Sequence, residues 1–157
     1  YMTGMQYLNF VCDIYQISAK ERKQNIERLI HAFQMEPHIS GLISSYSHGM
    51  KQKVALIAAF SHNPKLLVLD EPFVGLDPEA FIALKEQMKM LCRKGSSILF
   101  SSHILDVVEK LCNIISIIKD GRLLYSGTTE ELIGVEGLEE AFMELNSNES
   151  FDPSIEK

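Results

Sequence analysis

Two adjacent carboxylates, Asp70 and Glu71, follow directly on Leu66-Leu67-Val68-Leu69 and precede Pro72. A short apolar run bounded by polar residues predicts a strand buried on both faces, hence in a parallel sheet. Open α/β sheets bind their ligands beyond the carboxyl ends of the strands, where both acids would lie. A carboxylate at the end of a dry strand is costly unless it meets a cation or hydrogen-bond donors. A hard divalent metal carrying phosphates is the natural partner. The plainer alternative is a strand followed by a polar turn, and this stretch alone leaves the two even.

Two further features weigh on that choice. Ser47-His48-Gly49-Met50 opens a helical pattern. A helix N-terminus offers free N–H groups and the positive end of the dipole, so it favours a phosphate. Ser47 adds a hydroxyl, and Gly49 permits close backbone approach. His103 follows a second apolar run, Ile98-Leu99-Phe100. Alone, Ser47 is an ordinary helix cap and His103 an ordinary structural histidine. All three features in this order and at these separations are much harder to obtain by accident.

The elements that must position these residues read as follows. Thr3 and Gln6 form a capping box for a helix over 3–16, with Leu8, Val11, Cys12 and Tyr15 on one face. Ser18, with Glu21 as its box partner, opens a second helix carrying Ile26, Leu29, Ile30 and Phe33. Residues 34–46 read as loop. Ser47 caps a third helix to about Ser61, with Val54, Ile57, Ala58 and Met50 inward, stopped by Asn63-Pro64 before the 66–71 strand. The loop 72–78 leads to a fourth helix with Asp77 as N-cap and Pro78 at the first helical position. Phe81, Leu84, Met88 and Leu91 face inward, and Gly95 ends the helix. A second buried strand (97–101), a short helix (104–112) and a third strand (114–118) follow. Asp120-Gly121 predicts a tight hairpin into Leu123-Leu124-Tyr125. Thr128 with Glu131 caps a short helix, and Leu138, Ala141, Phe142 and Leu145 mark a last one. Residues 147–157 lack apolar periodicity and predict a disordered acidic tail. The order is that of an α/β domain with a parallel core sheet flanked by helices.

Composition narrows the function classes. The 157 residues are 46% apolar and 23% charged, ordinary for a globular domain with a real core. No stretch approaches the roughly 20 apolar residues that span a bilayer, and no signal-peptide pattern opens the chain. Of the net charge of −6, residues 139–157 carry −5, with six acids against Lys157. The body is therefore nearly neutral and has no basic stripe for nucleic acid. Cys12, Cys92 and Cys112 all fall in apolar helical patterns, without metal spacing, and read as buried free thiols of a reducing, cytoplasmic setting.

With these residues in place, the sequence resembles the nucleotide-binding domain of ABC transporters, over nearly the whole chain up to about residue 145. Leu66 to Pro72 is similar to the Walker B strand with its following glutamate. Gly75-Leu76-Asp77-Pro78 is similar to the D-loop, and Ser102-His103 to the switch histidine. Tyr46-Ser47-His48-Gly49-Met50-Lys51-Gln52-Lys53 occupies the place of the signature motif, and the opening Tyr1 to Leu8 looks like the start of the helical subdomain. The resemblance implies a P-loop NTPase-like core, with 1–64 as helical subdomain and 65–146 as the C-terminal part of the RecA-like catalytic core. It implies ATP and Mg²⁺ as cofactors. Asp70 would hold Mg²⁺ through its water shell, and Glu71 would act as general base on the attacking water. His103 would contact the γ-phosphate and keep water and glutamate aligned. Ser47 and Gly49 would contact a nucleotide on the opposite subunit, and Asp77 would lie at the dimer interface. Catalysis of this kind rests on positioning and charge neutralisation.

Two departures accompany the resemblance. His48 stands where the signature has its first glycine, and Met50 where it has glutamine. His48 donates to phosphate if its ring points inward and otherwise faces solvent, the second being favoured; Met50 packs inward. In addition, no Gly-x-x-x-x-Gly-Lys-Ser/Thr occurs in the 157 residues, so nothing here cradles the α- and β-phosphates. Truncation is the simplest expectation, this being the C-terminal two thirds of the domain, inactive alone. The implied protein is an export-type ATPase subunit at the cytoplasmic face of the membrane. Its partners would be a second nucleotide-binding domain, as homo- or heterodimer, and a separate transmembrane permease, with no nucleic acid. A degenerate, non-hydrolysing module that dimerises or binds a partner is the alternative, and a non-transport ATPase of DNA repair or translation a third reading.

Overall fold

A computed structural model describes residues 1–133 and 137–147. The predicted tail falls outside them from residue 148 onward. Two compact units divide the chain, one over Tyr1–Ser101 and one from Ser102 on.

The first unit is built on a central helix. Helix α1 (Gly4–Ile14) starts from the expected capping box: Thr3 Oγ1 accepts from the Gln6 amide at 3.2 Å, and Gln6 Oε1 accepts from the Thr3 amide at 2.8 Å. Helix α2 (Ala19–Ala32) is capped by Ser18, whose hydroxyl accepts from the Glu21 amide at 3.3 Å. Helix α3 (His48–Ser61) buries Val54, Leu56, Ile57, Ala58, Phe60 and Ser61, nearly its whole circumference beyond the first turns. A helix apolar all round must be covered on several sides, and α1, α2 and α4 (Pro78–Arg93) all pack on it. Leu8, Cys12, Leu29, Phe33, Ile57 and Leu84 form the driest part of this core.

The segment 34–46 is more ordered than its loop-like composition predicts. Ile43–Ser45 forms a 3₁₀ turn, and Thr3 bridges Leu42. The Met5 and Gly4 amides donate to the carbonyls of Ile39 (2.9 Å) and Gly41 (3.2 Å). Tyr46 is buried, and its hydroxyl donates to the His38 carbonyl at 2.7 Å. Gly4 is required here, because a Cβ on it would lie 2.6 Å from the Tyr46 hydroxyl.

Strands β1 (Leu66–Leu69) and β2 (Ser97–Phe100) pair in parallel, joined through α4, with Leu66 opposite Ser97 and Leu69 opposite Phe100. The expectation of strands buried on both faces is corrected. Leu67 is buried, whereas Leu66, Val68 and Leu99 are 61%, 63% and 64% exposed. The helices of this unit cover one face of the pair, so side chains alternate in and out with the pleat. Helix α4 begins as predicted, with Asp77 Oδ1 accepting from the Ala80 amide at 2.8 Å and Pro78 in its first turn. Its C-cap is Lys94, followed by Gly95 at φ +91°. The expected burial of all three thiols is also corrected. Cys12 is buried, but Cys92 is exposed, because it follows the inward Leu91 and faces outward on α4. Cys112 is half-buried, and burial pushes its thiol pKa up.

In the second unit, α5 (Leu105–Leu111) is followed by β3 (Ile114–Lys119) and β4 (Arg122–Thr128), an antiparallel hairpin. Asp120 (φ +51°) and Gly121 (φ +74°) both adopt positive φ, as a two-residue type I′ turn requires. Among the described residues β3 pairs with β4 alone, and the parallel ladder consists of β1 and β2. Helix α6 (Thr129–Ile133) opens with the predicted Thr128–Glu131 box, bonded both ways at 3.1 and 3.2 Å. Helix α7 (Leu138–Ser147) closes the unit over Ile115, Ile117 and Leu138, which Leu105, Val108, Leu124 and Phe142 pack against.

Candidate functional site

Backbone pairing builds the first half of the site. Because Leu69 lies opposite Phe100, the next residue of each strand falls side by side: Asp70 and Ser101. The Ser101 amide donates to the Leu69 carbonyl at 3.0 Å, extending the ladder by one bond. The Ser101 hydroxyl donates to Asp70 Oδ1 and accepts from the Glu71 amide at 2.9 Å. Glu71 adopts φ +42°, a left-handed conformation uncommon outside glycine. Its carbonyl accepts from the Val74 amide at 3.2 Å, which starts the loop 72–77. Phe73 anchors that loop in the core, 4.8 Å from the Phe81 ring and 6.0 Å from Phe100, centroid to centroid.

The other half is the first turn of α3, whose cap Ser47 accepts from the Met50 amide at 3.2 Å. This turn is locked against the 72–77 loop. Gln52 Nε2 donates to the Pro72 carbonyl at 3.4 Å. Lys53, 12% exposed along its side chain, sets its ammonium 2.6 Å from Asp77 Oδ2. Asp77 therefore does three things: it caps α4, it pairs with Lys53, and it ties α3 to α4. The Lys53 hydrogen bond, helped by the Ala80 amide, holds the Asp77 carboxyl below its ordinary range. Two glycines close the contact. A Cβ at Gly49 would lie 2.9 Å from the Gly75 carbonyl, and one at Gly75 would lie 3.0 Å from the His48 ring. Gly75 also has φ +76°.

The structure thus brings Ser47, His48, Gly49 and Asp77 together at the α3–loop contact, with Asp70 and Glu71 at the start of the same loop. His48 is exposed, with the edge of its ring against Gly75, and Met50 is half-buried. Gly49 owes its identity at least in part to its own chain, through Gly75. His103 lies in the second unit, exposed, in the segment before α5, where Ser102 Oγ accepts from the Ile104 amide at 3.1 Å. Sequence reasoning missed the role of Ser101 and the Lys53–Asp77 pair. Placing Ser101 needs the strand register, which a serine after an apolar run does not announce.

Among the described residues no cluster of three or more His, Cys, Asp or Glu side chains could hold a metal ion. Asp70, a single hard oxygen donor at a strand end, fits a Mg²⁺ that keeps most of its water and arrives with phosphates.

Residues 18–109 match the family described as "AAA domain, putative AbiEii toxin, Type IV TA system", which sets the class as an AAA domain. The chain belongs to that family, and over most of its length it is similar to ATP-binding proteins of ABC transporters. It is 35% identical over 143 residues to the ABC-type transporter ATP-binding protein EcsA of Bacillus subtilis (strain 168), covering 91% of this chain and 58% of that one. It is likewise 35% identical over 131 residues to the ABC transporter ATP-binding protein NatA of the same organism, covering 83% and 53%. A solved structure described as the ATP binding subunit of an ABC transporter superposes with a TM-score of 0.88 at 35% identity, covering 92% of this chain and 62% of the other. The chain therefore spans little more than half the length of the curated relatives it matches.

Proposed function

We propose that these residues form part of the ATP-binding and ATP-hydrolysing subunit of an ABC transporter, powering transport through a separate permease. The observation that carries this reading is the pair Asp70–Glu71 standing directly beyond parallel strand β1, where α/β sheets bind ligands. In this reading Asp70 holds Mg²⁺ through its water shell, and the ion when bound would neutralise charge on the phosphates. Glu71 accepts the proton of the attacking water. His103 holds the γ-phosphate side of that arrangement. Ser47 and Gly49, with His48 beside them, face the nucleotide of a second domain, and Asp77 lies at that dimer interface. The phosphate-cradling loop is contributed from outside the 157 residues. The protein works as a peripheral subunit on the cytoplasmic face of the membrane, in the export direction. No described helix is long and apolar enough to cross a membrane.

The test uses the intact protein, complete with its phosphate loop. Glu71→Gln is expected to abolish steady turnover and trap an ATP-bound dimer, seen by size-exclusion chromatography with light scattering. Normal turnover in that variant would take the general-base role from Glu71. Ser47→Arg is expected to block nucleotide-driven dimerisation while leaving nucleotide binding by the monomer. The non-hydrolysing alternative draws on His48 and Met50, which depart from the family signature. It predicts no turnover in the unmodified protein and ATP-independent dimerisation.

A further inference from the structure

We propose that Ser101 is a positioning residue for both acids, a role that rests on the reading of Asp70 and Glu71 just given. A hydroxyl has one proton to donate and two lone pairs to accept with. Ser101 uses both capacities at once: its proton goes to Asp70 Oδ1, and a lone pair receives the Glu71 amide at 2.9 Å. The first bond selects which oxygen of Asp70 is engaged inside the protein and fixes the carboxylate that would hold a hydrated cation. The second fixes the peptide plane before Glu71. Glu71 holds φ +42°, which a residue bearing a Cβ adopts uncommonly and at some cost. With its amide on Ser101 and its carbonyl bonded to the Val74 amide at 3.2 Å, the residue is held from both sides. The backbone from which the Glu71 side chain departs is then held by the strand next door.

Serine suits this place better than its neighbours in chemical space. Alanine removes both bonds, whereas threonine keeps the hydroxyl. Ser101 itself is fixed by the backbone ladder through its amide on Leu69 at 3.0 Å, so the hydroxyl is delivered by the sheet rather than by a flexible loop. Partners that orient a metal ligand in this way typically carry about 10- to 100-fold of affinity or activity.

The experiment has two arms. In the 157-residue protein without nucleotide, amide hydrogen exchange at Glu71 is followed by NMR. Ser101→Ala is expected to accelerate it by about tenfold or more, as its acceptor is lost, and Ser101→Thr to leave it protected. In the intact protein, Ser101→Ala is expected to lower kcat by about tenfold and raise the Mg²⁺ concentration for half-maximal activity, with KM for ATP within about twofold. Ser101→Thr restores both. Unchanged Glu71 exchange and unchanged kcat in Ser101→Ala would overturn the proposal. So would Ser101→Thr failing as badly as alanine while still folded. Should alanine prevent folding, Ser101→Cys decides, since a thiol is a weak donor and acceptor of similar size: wild-type exchange and Mg²⁺ dependence in that variant also overturn the proposal. The underlying reading fails separately, if Asp70→Asn and Glu71→Gln retain turnover.

Discussion

At the scale of single residues, the site is a set of side chains that hold one another before they hold anything else. Gly49 illustrates this. Its spacing predicts room for a phosphate, and the structure adds a demand from within the chain, since the Gly75 carbonyl occupies the space of a Cβ. Gly49→Ala is therefore expected to destabilise the first unit by about 1–3 kcal/mol, because backbone, not a yielding side chain, must move. Urea denaturation of the 157-residue protein checks this, and a variant as stable as the parent would mean that the 72–77 loop yields freely. The same logic separates what was legible from what was not. Ser47, Asp77 and Pro78 announce themselves, because capping is local and each partner lies three residues away. Ser101 does not, because its partners lie 30 and 31 residues upstream and meet it through strand register alone.

At the scale of elements, helices are more legible in this sequence than strands. Helix ends are written in cap residues. By contrast, an apolar run such as Leu66–Leu69 looks the same whether one face is covered or two. Here one face is covered, and the run alternates. The Asp120-Gly121 turn and the Thr128–Glu131 box were legible for the same local reason as the caps. Between α1 and α3 an unanticipated contact adds a pH dependence. The Tyr15 and His62 rings stack 3.8 Å apart, nearly parallel, and His62 Nδ1 lies 3.3 Å from the Ala58 carbonyl. Burial lowers the His62 pKa, against the opposing pull of that carbonyl. The unfolded chain then takes up the proton first, at about pH 6.5. The contribution is fully present above that pH and is lost as pH falls through the lower, folded-state value. The melting temperature is expected to drop between about pH 7.5 and about pH 5.5, and His62→Gln to flatten the drop. Calorimetry of the two proteins across that range decides it; parallel curves would remove His62 as the cause.

At the scale of the whole molecule, the chain carries acids, a capped helix terminus and a histidine, but no Gly-x-x-x-x-Gly-Lys-Ser/Thr. Without that loop, backbone amides cannot cradle the α- and β-phosphates. The 157-residue chain by itself is therefore expected to bind ATP weakly and to hydrolyse it no faster than its own Glu71→Gln variant. A coupled phosphate-release assay tests this, and steady turnover that Glu71→Gln abolishes would show that these residues suffice.

Tyr46 has a consequence of another kind. From Thr3 to Ser47 the covalent path runs through two helices and a 3₁₀ turn. The path through space is far shorter: Gly4 lies against the Tyr46 hydroxyl, that hydroxyl is tied to the His38 carbonyl, and one peptide bond later comes Ser47. Across this strut the first turn of α1 stands next to the residue that precedes the α3 cap. The opening residues, remote from the acids in sequence, thus brace the segment that leads into the turn carrying Ser47 and Gly49. Tyr46→Phe, which keeps the strut's bulk and cuts its tie, is the substitution that would slacken it.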